Sequence, residues 1–202
     1  KKYKINKRFI KSNILQILNK NLSKKKNYNH LLRIALNKNT ISISLRKRLT
    51  PKLNFNLKLV NLKRERPQFK NLKYKKILSH LSKMDNTKSD IGLVFNKKLF
   101  ETGTSNLLFV RNDKIFTPKK DYYEGITYKY FKSKVKKIYK KEIFVKELKK
   151  FDEILLIGSG KGVTSVKTIR QIGWKRKNLK HYNIFLRYYR LVIRNSNLYR
   201  FN

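Results

Sequence analysis

The sequence predicts an α+β fold, and three observations predict it. Apolar runs of strand length and stretches with helical spacing follow one another along the chain, with no repeat and no heptad run to order them. Apolar residues are spread from end to end, so 202 residues can bury a proper core in one large domain or two small ones. The third observation is the stretch Ile91 to Thr127, where four short strands succeed one another, the second ending in a carboxylate, Glu101, between apolar strands, and a helix start follows.

Taken in order, Phe9, Ile10, Ile14, Leu15, Ile17 and Leu18 fall at helical spacing with Ile5, and predict an amphipathic helix over 6–20. Leu31 to Leu36 and Ile41 to Leu45 read as two strands around the polar turn 37–40, and Phe55, Leu57 and Leu59 as a third. A helix through Ile77, Leu78, Leu81 and Met84 follows Pro67. Ile91 to Phe95 and Leu107 to Val110 read as strands on either side of the turn Thr102 to Asn106. A helix opens at Gly125-Ile126-Thr127, with Ile126, Tyr130, Phe131, Val135 and Ile138 as its apolar face. Ile143 to Val145 then reads as a short strand, Leu148 to Asp152 as a helical turn, and Ile154 to Ile157 as a buried strand running into Gly158-Ser159-Gly160-Lys161-Gly162. Val163 to Ile169 leaves that loop, and a closing helix follows His181. The expected domains are 1–66, a small N-terminal unit, and 67–202, a larger one.

Composition narrows the function classes. Cysteine is absent, which excludes disulfide scaffolds, thiolate zinc sites and thiol catalysis, and His30, His80 and His181 do not cluster in the sequence, so no metal is expected. No apolar run approaches the roughly 20 residues that span a bilayer, and no secretory pattern follows the basic start, so no membrane is expected as a partner and a cytoplasmic location is. The chain starts on Lys1 rather than methionine, which is the look of a fragment. The formal net charge of +42 has two readings. Lysine and arginine in such numbers suit a nucleic acid or another polyanion. Lysine, asparagine and isoleucine also rise together under A/T-rich coding. The lysines punctuate strands and helices alike rather than forming one patch, which favours the second reading, although Glu65 is the single acid before Asp85.

Two glycine turns are candidate oxyanion cradles. GSGKG lacks the glycine of a Walker loop, which would stand at Leu155, and the hydroxyl after its lysine, which is Gly162; its G-x-G-x-G spacing is not the dinucleotide pattern either. A tight turn between two strands is its plainer reading, and backbone N–H groups around an oxyanion the functional one. Gly125-Ile126-Thr127 at a helix start is the second cradle, with simple capping as its alternative. Two anion cradles and one buried carboxylate suit a ligand with a phosphate at one end and a basic ring nitrogen at the other, and pyridoxal phosphate has both.

The residues carry a resemblance. Glu101-Thr102-Gly103-Thr104-Ser105-Asn106-Leu107-Leu108-Phe109, then Thr117-Pro118 and Gly125-Ile126-Thr127, resembles the pattern of the class IV, fold type IV pyridoxal-phosphate enzymes, which include branched-chain and D-amino acid aminotransferases and 4-amino-4-deoxychorismate lyase. Phe69-Lys70-Asn71-Leu72-Lys73-Tyr74, Asn6-Lys7-Arg8-Phe9-Ile10-Lys11-Ser12 and Ile157-Gly158-Ser159-Gly160-Lys161-Gly162-Val163 resemble three further segments of that family, in the same order. The resemblance implies a two-domain fold type IV enzyme with the N-terminal domain incomplete, because the roughly forty residues the family carries before the Arg8 segment are missing here. It implies pyridoxal 5'-phosphate as cofactor, a small-molecule substrate and a homodimer.

It also implies roles. Lys70 would bind the cofactor covalently and then shuttle the Cα proton, with Lys73 as a second lysine nearby. Tyr74 would sit near the ring hydroxyl or the Schiff base, and Glu101 would keep the ring nitrogen protonated. Arg8, Ile126, Thr127, Gly158 and Ser159 would hold the phosphate, and Arg33, Arg46, Arg48 and Thr104 are candidate substrate contacts. The GSGKGV turn favours 4-amino-4-deoxychorismate lyase, which releases 4-aminobenzoate and pyruvate in folate biosynthesis. A branched-chain or D-amino acid aminotransferase is the alternative within the family. A truncated, non-enzymatic descendant that binds RNA or another polyanion is the alternative outside it.

Overall fold

The protein is described from a computed structural model, which covers residues 7–196 except 24, 25, 27, 29, 38, 39 and 72. Ile5, Asn6, Lys38, Asn39 and Leu72, which the sequence analysis used, therefore lie outside the described residues. The chain divides into two compact units between Arg48 and Leu49.

The first unit contains helix α1 (Lys7–Asn21) and an antiparallel hairpin of β1 (His30–Leu36) and β2 (Ile41–Lys47). The helix follows the apolar periodicity, and Leu18 is buried on it. Leu32 pairs with Leu45 and Ile34 with Ile43, so the period-two pattern sets the register.

The second unit is built on one mixed sheet of nine strands. Its order is β5 (Lys98–Thr102), β4 (Ser89–Phe95), β3 (Asn54–Asn61), β10 (Gly162–Ile169), β9 (Glu153–Gly158), β6 (Asn106–Arg111), β7 (Lys114–Pro118), β8 (Ile138–Lys141), with β11 (Trp174–Lys175) added to β10. Expected as the third strand of the N-terminal part, β3 is bonded into this sheet, parallel to both β4 and β10. Parallel pairs need a crossover, and helix α2 (Lys75–Leu81) supplies one between β3 and β4 while α3 (Ile126–Lys134) supplies another between β7 and β8.

Alternation along the central strands divides the core between the two faces. Leu107, Phe109, Ile154 and Leu156 pack on one side with Phe55, Phe151 and Trp174. Leu108, Leu155 and Ile157 pack on the other with Tyr128 and Phe131 of α3 and Phe185 of α4 (Lys180–Arg194). Ile77 and Leu81 of α2 cover Ile91 and Leu93 of β4 in a third cluster. Two hairpin turns put consecutive residues at positive φ, Asn96-Lys97 and Asn112-Asp113, the conformation of a type I′ turn.

The local expectations fail between 126 and 145. Helix α3 stops at Lys134; Val135 is already extended and Ile138 begins β8. The buried face of α3 is Thr127, Tyr128 and Phe131, while the Ile126 side chain is 76% exposed. Val135 and Ile138 continue the helical spacing by coincidence, because both pack into the same cluster from beyond the helix. Ile143 to Val145 is not a strand: Phe144 makes one isolated bridge to Lys98, and a 3-10 turn runs over Val145–Lys150. Met84 falls beyond the end of α2.

Candidate active site

Glu101 stands near the end of β5, 4% exposed, facing Leu93 of β4. Its charge is answered by an arginine that the sequence did not single out. Arg64 Nε donates to Glu101 Oε1 at 2.8 Å and Nη2 donates to the Gly103 carbonyl at 3.2 Å. Burial pushes the Glu101 carboxyl up from its ordinary range, while the Arg64 charge and hydrogen bond and a backbone hydrogen bond from Tyr123 pull it down.

Tyr123 links this carboxylate to two other predicted parts. The Lys70 Nζ lies over its ring, 5.7 Å from the centroid. Its carbonyl accepts from Asn106 Nδ2 at 2.5 Å, and the same side chain takes the Gly125 N–H on Oδ1 at 3.0 Å. Asn106, buried at the start of β6, thereby fixes the loop that enters α3. The first amides of α3 stand beyond that fixed point, where a helix leaves N–H groups unbonded within itself. Gly125 is required here, since a Cβ would lie 2.8 Å from Asn106 Oδ1. Thr127 is buried beside it.

Lys73 turns elsewhere and pairs with Glu65 at 3.0 Å on the exposed side of the same loop. Of the two lysines, Lys70, itself exposed, is the one beside Tyr123. Tyr74 precedes α2 and packs against the cluster under that helix.

The GSGKG segment is a hairpin loop between β9 and β10, as its plainer reading had it. Gly158 pairs with Gly162, the Lys161 N–H donates to the Gly158 carbonyl at 3.2 Å, and Gly162 takes φ +68°. Gly158 abuts the turn after β5, where an added Cβ would meet Ser105 Oγ and the Thr104 carbonyl, both at 3.3 Å. Ser159 is exposed at the tip. The Thr104 hydroxyl donates to Asp90 Oδ2 at 2.7 Å.

Arg8, on α1, and Arg33, Arg46 and Arg48, on or just after the hairpin strands, belong to the first unit. The second unit by itself brings together Lys70, Glu101, Gly125, Ile126 and Thr127, and sets Gly158 against the turn that follows Glu101. Sequence reasoning missed Arg64, Tyr123, Asp90 and the pinning role of Asn106. Arg64 was hidden in a run of charge, and Asn106 was read as one letter of a pattern.

The sequence profile of the family described as Amino-transferase class IV matches residues 1–169. The chain belongs to the class IV aminotransferases. This is a family of pyridoxal-phosphate enzymes, and its fold is the one seen here. A protein of Legionella pneumophila assigned as a 4-amino-4-deoxychorismate lyase superposes with a TM-score of 0.65 at 17% identity, over 77% of this chain and 61% of that one. The branched-chain aminotransferase of Thermoproteus uzoniensis, solved with norvaline, gives 0.68 at 15% identity, over 92% and 71%. An aminotransferase of Brucella abortus bound to pyridoxal phosphate gives 0.56 at 17%, over 72% and 57%. This class IV chain thus spans about three-fifths of the Legionella protein's length. Among curated proteins, none matches it.

The donor set fits the cofactor of this family. A buried carboxylate held beside a guanidinium suits a protonated ring nitrogen. A glycine whose Cβ would crowd the Asn106 oxygen at 2.8 Å, followed by helix-start amides and a buried threonine, suits a phosphate.

Proposed function

We propose that this chain works with pyridoxal phosphate on a small amino acid substrate, and that the reaction is the cleavage of 4-amino-4-deoxychorismate to 4-aminobenzoate and pyruvate. The observation that carries the reading is Tyr123, which joins Lys70, Glu101 and the Gly125 loop into one constellation. When bound, pyridoxal phosphate supplies an electron sink for negative charge developing at the substrate Cα.

The chain's own residues supply the rest. Lys70 Nζ is the attachment point and then the base that takes the Cα proton. Glu101 holds a proton on the ring nitrogen, and Arg64 keeps the carboxylate charged and oriented. Ile126 and Thr127 amides, with the Thr127 hydroxyl, bind phosphate, and Gly158 and Ser159 bind it from the second turn. Tyr74 orients the ring. Support for lyase chemistry over transamination comes from the GSGKG turn and from a positive chain suited to a substrate with two carboxylates. Thr104 is the proposed contact in the second unit for those groups.

The test is a product assay with pyridoxal phosphate present. Equal amounts of 4-aminobenzoate and pyruvate are expected from 4-amino-4-deoxychorismate, and none from Lys70→Ala. Amino transfer from branched-chain or D-amino acids, without 4-aminobenzoate, would replace the lyase by an aminotransferase. Neither product, with salt-sensitive RNA binding and no retained cofactor, would replace both.

A further inference from the structure

One buried ion pair in the second unit has no part in the constellation above. Lys161, in the middle of the GSGKG turn, points its ammonium inward rather than to solvent. Nζ lies 2.7 Å from Asp90 Oδ2 and 4.6 Å from the centre of the Phe55 ring, with the side chain 11% exposed. Asp90 is fully buried at the head of β4. The same carboxylate accepts the Thr102 hydroxyl at 2.9 Å and the Thr104 hydroxyl at 2.7 Å, and its other oxygen accepts the Ile91 N–H at 2.8 Å. Thr102 in turn accepts the Ser105 N–H at 2.8 Å.

Asp90 is therefore a hub. On one side it organises the turn Thr102–Ser105, directly after Glu101; on the other it holds the turn that carries Ser159. The two turns touch at Gly158, where no side chain could be inserted without moving Ser105 or the Thr104 carbonyl. A lysine stem drawn across that contact is an expensive choice for stability alone, since a buried pair is often no better than an apolar replacement. Burial pushes the Lys161 ammonium down from its ordinary range, and Asp90 holds it up. A buried pair does fix a geometry.

We propose that Lys161 and Asp90 are positioning residues that set the span between Glu101 and the Ser159 turn, and so match it to a ligand that carries a ring nitrogen and a phosphate on one frame. This rests on the pyridoxal-phosphate reading of the site. It assigns Lys161 no contact with cofactor or substrate. The tie acts only on a ligand that reaches both ends. Pyridoxal, which lacks the phosphate, spans nothing and is indifferent to it.

The experiment is a binding titration of cofactor-free protein with pyridoxal phosphate and, separately, with pyridoxal, in wild type and in Lys161→Met/Asp90→Asn. The double substitution neutralises both charges together, leaves the methionine stem on Phe55 and keeps an acceptor for the Ile91 N–H, which avoids the unpaired buried charge that a single change would leave. Thermal melting of each protein checks that it is folded. The expected result is a loss of pyridoxal-phosphate affinity of roughly tenfold or more with pyridoxal affinity unchanged, the size of one well-placed charged hydrogen bond. Equal losses for both ligands, or no loss for either, would overturn the positioning role while leaving the site intact. A wild-type protein that binds neither ligand would overturn this inference together with the cofactor reading. Lys161→Arg, which keeps the charge on a longer fork, is expected to fall between wild type and the double variant.

Discussion

At the scale of single residues, Arg64 and Glu101 carry the electrostatics of the site. Glu101 is buried with its pKa raised, so the folded state holds that proton more tightly than the unfolded chain does. A raised folded pKa means that stability from this group is present below the unfolded value and declines as pH climbs through the folded one. Arg64 limits that decline. In Arg64→Gln the carboxyl is pushed up further, the declining window widens, and stability at neutral pH falls by about 3 kcal/mol, the scale of breaking a buried pair. Chemical denaturation at about pH 4 and about pH 8 checks this, with the deficit expected to shrink at the acid end, where Glu101 is protonated. An equal deficit at both would remove Arg64 from the electrostatic account.

This pair also shows how far a sequence can be read. Glu101 was legible because a lone carboxylate among apolar strands is conspicuous in a chain with 11 acids. Arg64 was not, because one arginine among 53 basic residues carries no signal until the fold puts it 2.8 Å from a partner 37 positions away.

Among the elements, the β9–β10 hairpin joins the candidate site to the core. Its turn needs Gly162 twice over. The residue sits at φ +68°, and a Cβ there would lie 2.7 Å from the Tyr189 ring of α4. Gly162→Ala therefore meets backbone strain and a clash together, and a loss of about 1–3 kcal/mol in urea denaturation is expected. Strands were readable from period-two alternation, as in β1 and β3, or from short unbroken apolar runs, as in β6 and β9, whose neighbouring residues are buried on the two faces of the sheet. The segment 135–145 was misread because apolar spacing alone does not separate a helix from a strand packing into the same cluster. Val135 and Ile138 satisfy the helical template yet lie beyond the last turn of α3. At GSGKG the glycines announced a turn, but nothing local announced that Lys161 would point inward to Asp90, 71 positions earlier in the chain.

For the molecule as a whole, family and fold rest on the profile match and the superpositions, while the proposed activity rests on the constellation around Tyr123. The few carboxylates of this +42 chain find basic partners, as with Asp121 and Lys63, Glu124 and Lys140, Glu142 and Lys98, and Asp152 and Lys177. In a chain with so many amines, the proposal that one lysine is the cofactor's attachment point meets a demanding test. The direct measurement is to load the protein with pyridoxal phosphate, reduce it with borohydride to make any imine permanent, and map the modified peptide by mass spectrometry. One dominant site is expected, Lys70, lost in Lys70→Ala without transfer to Lys73. Modification scattered over exposed lysines, or centred on Lys73 or Lys161, would contradict it.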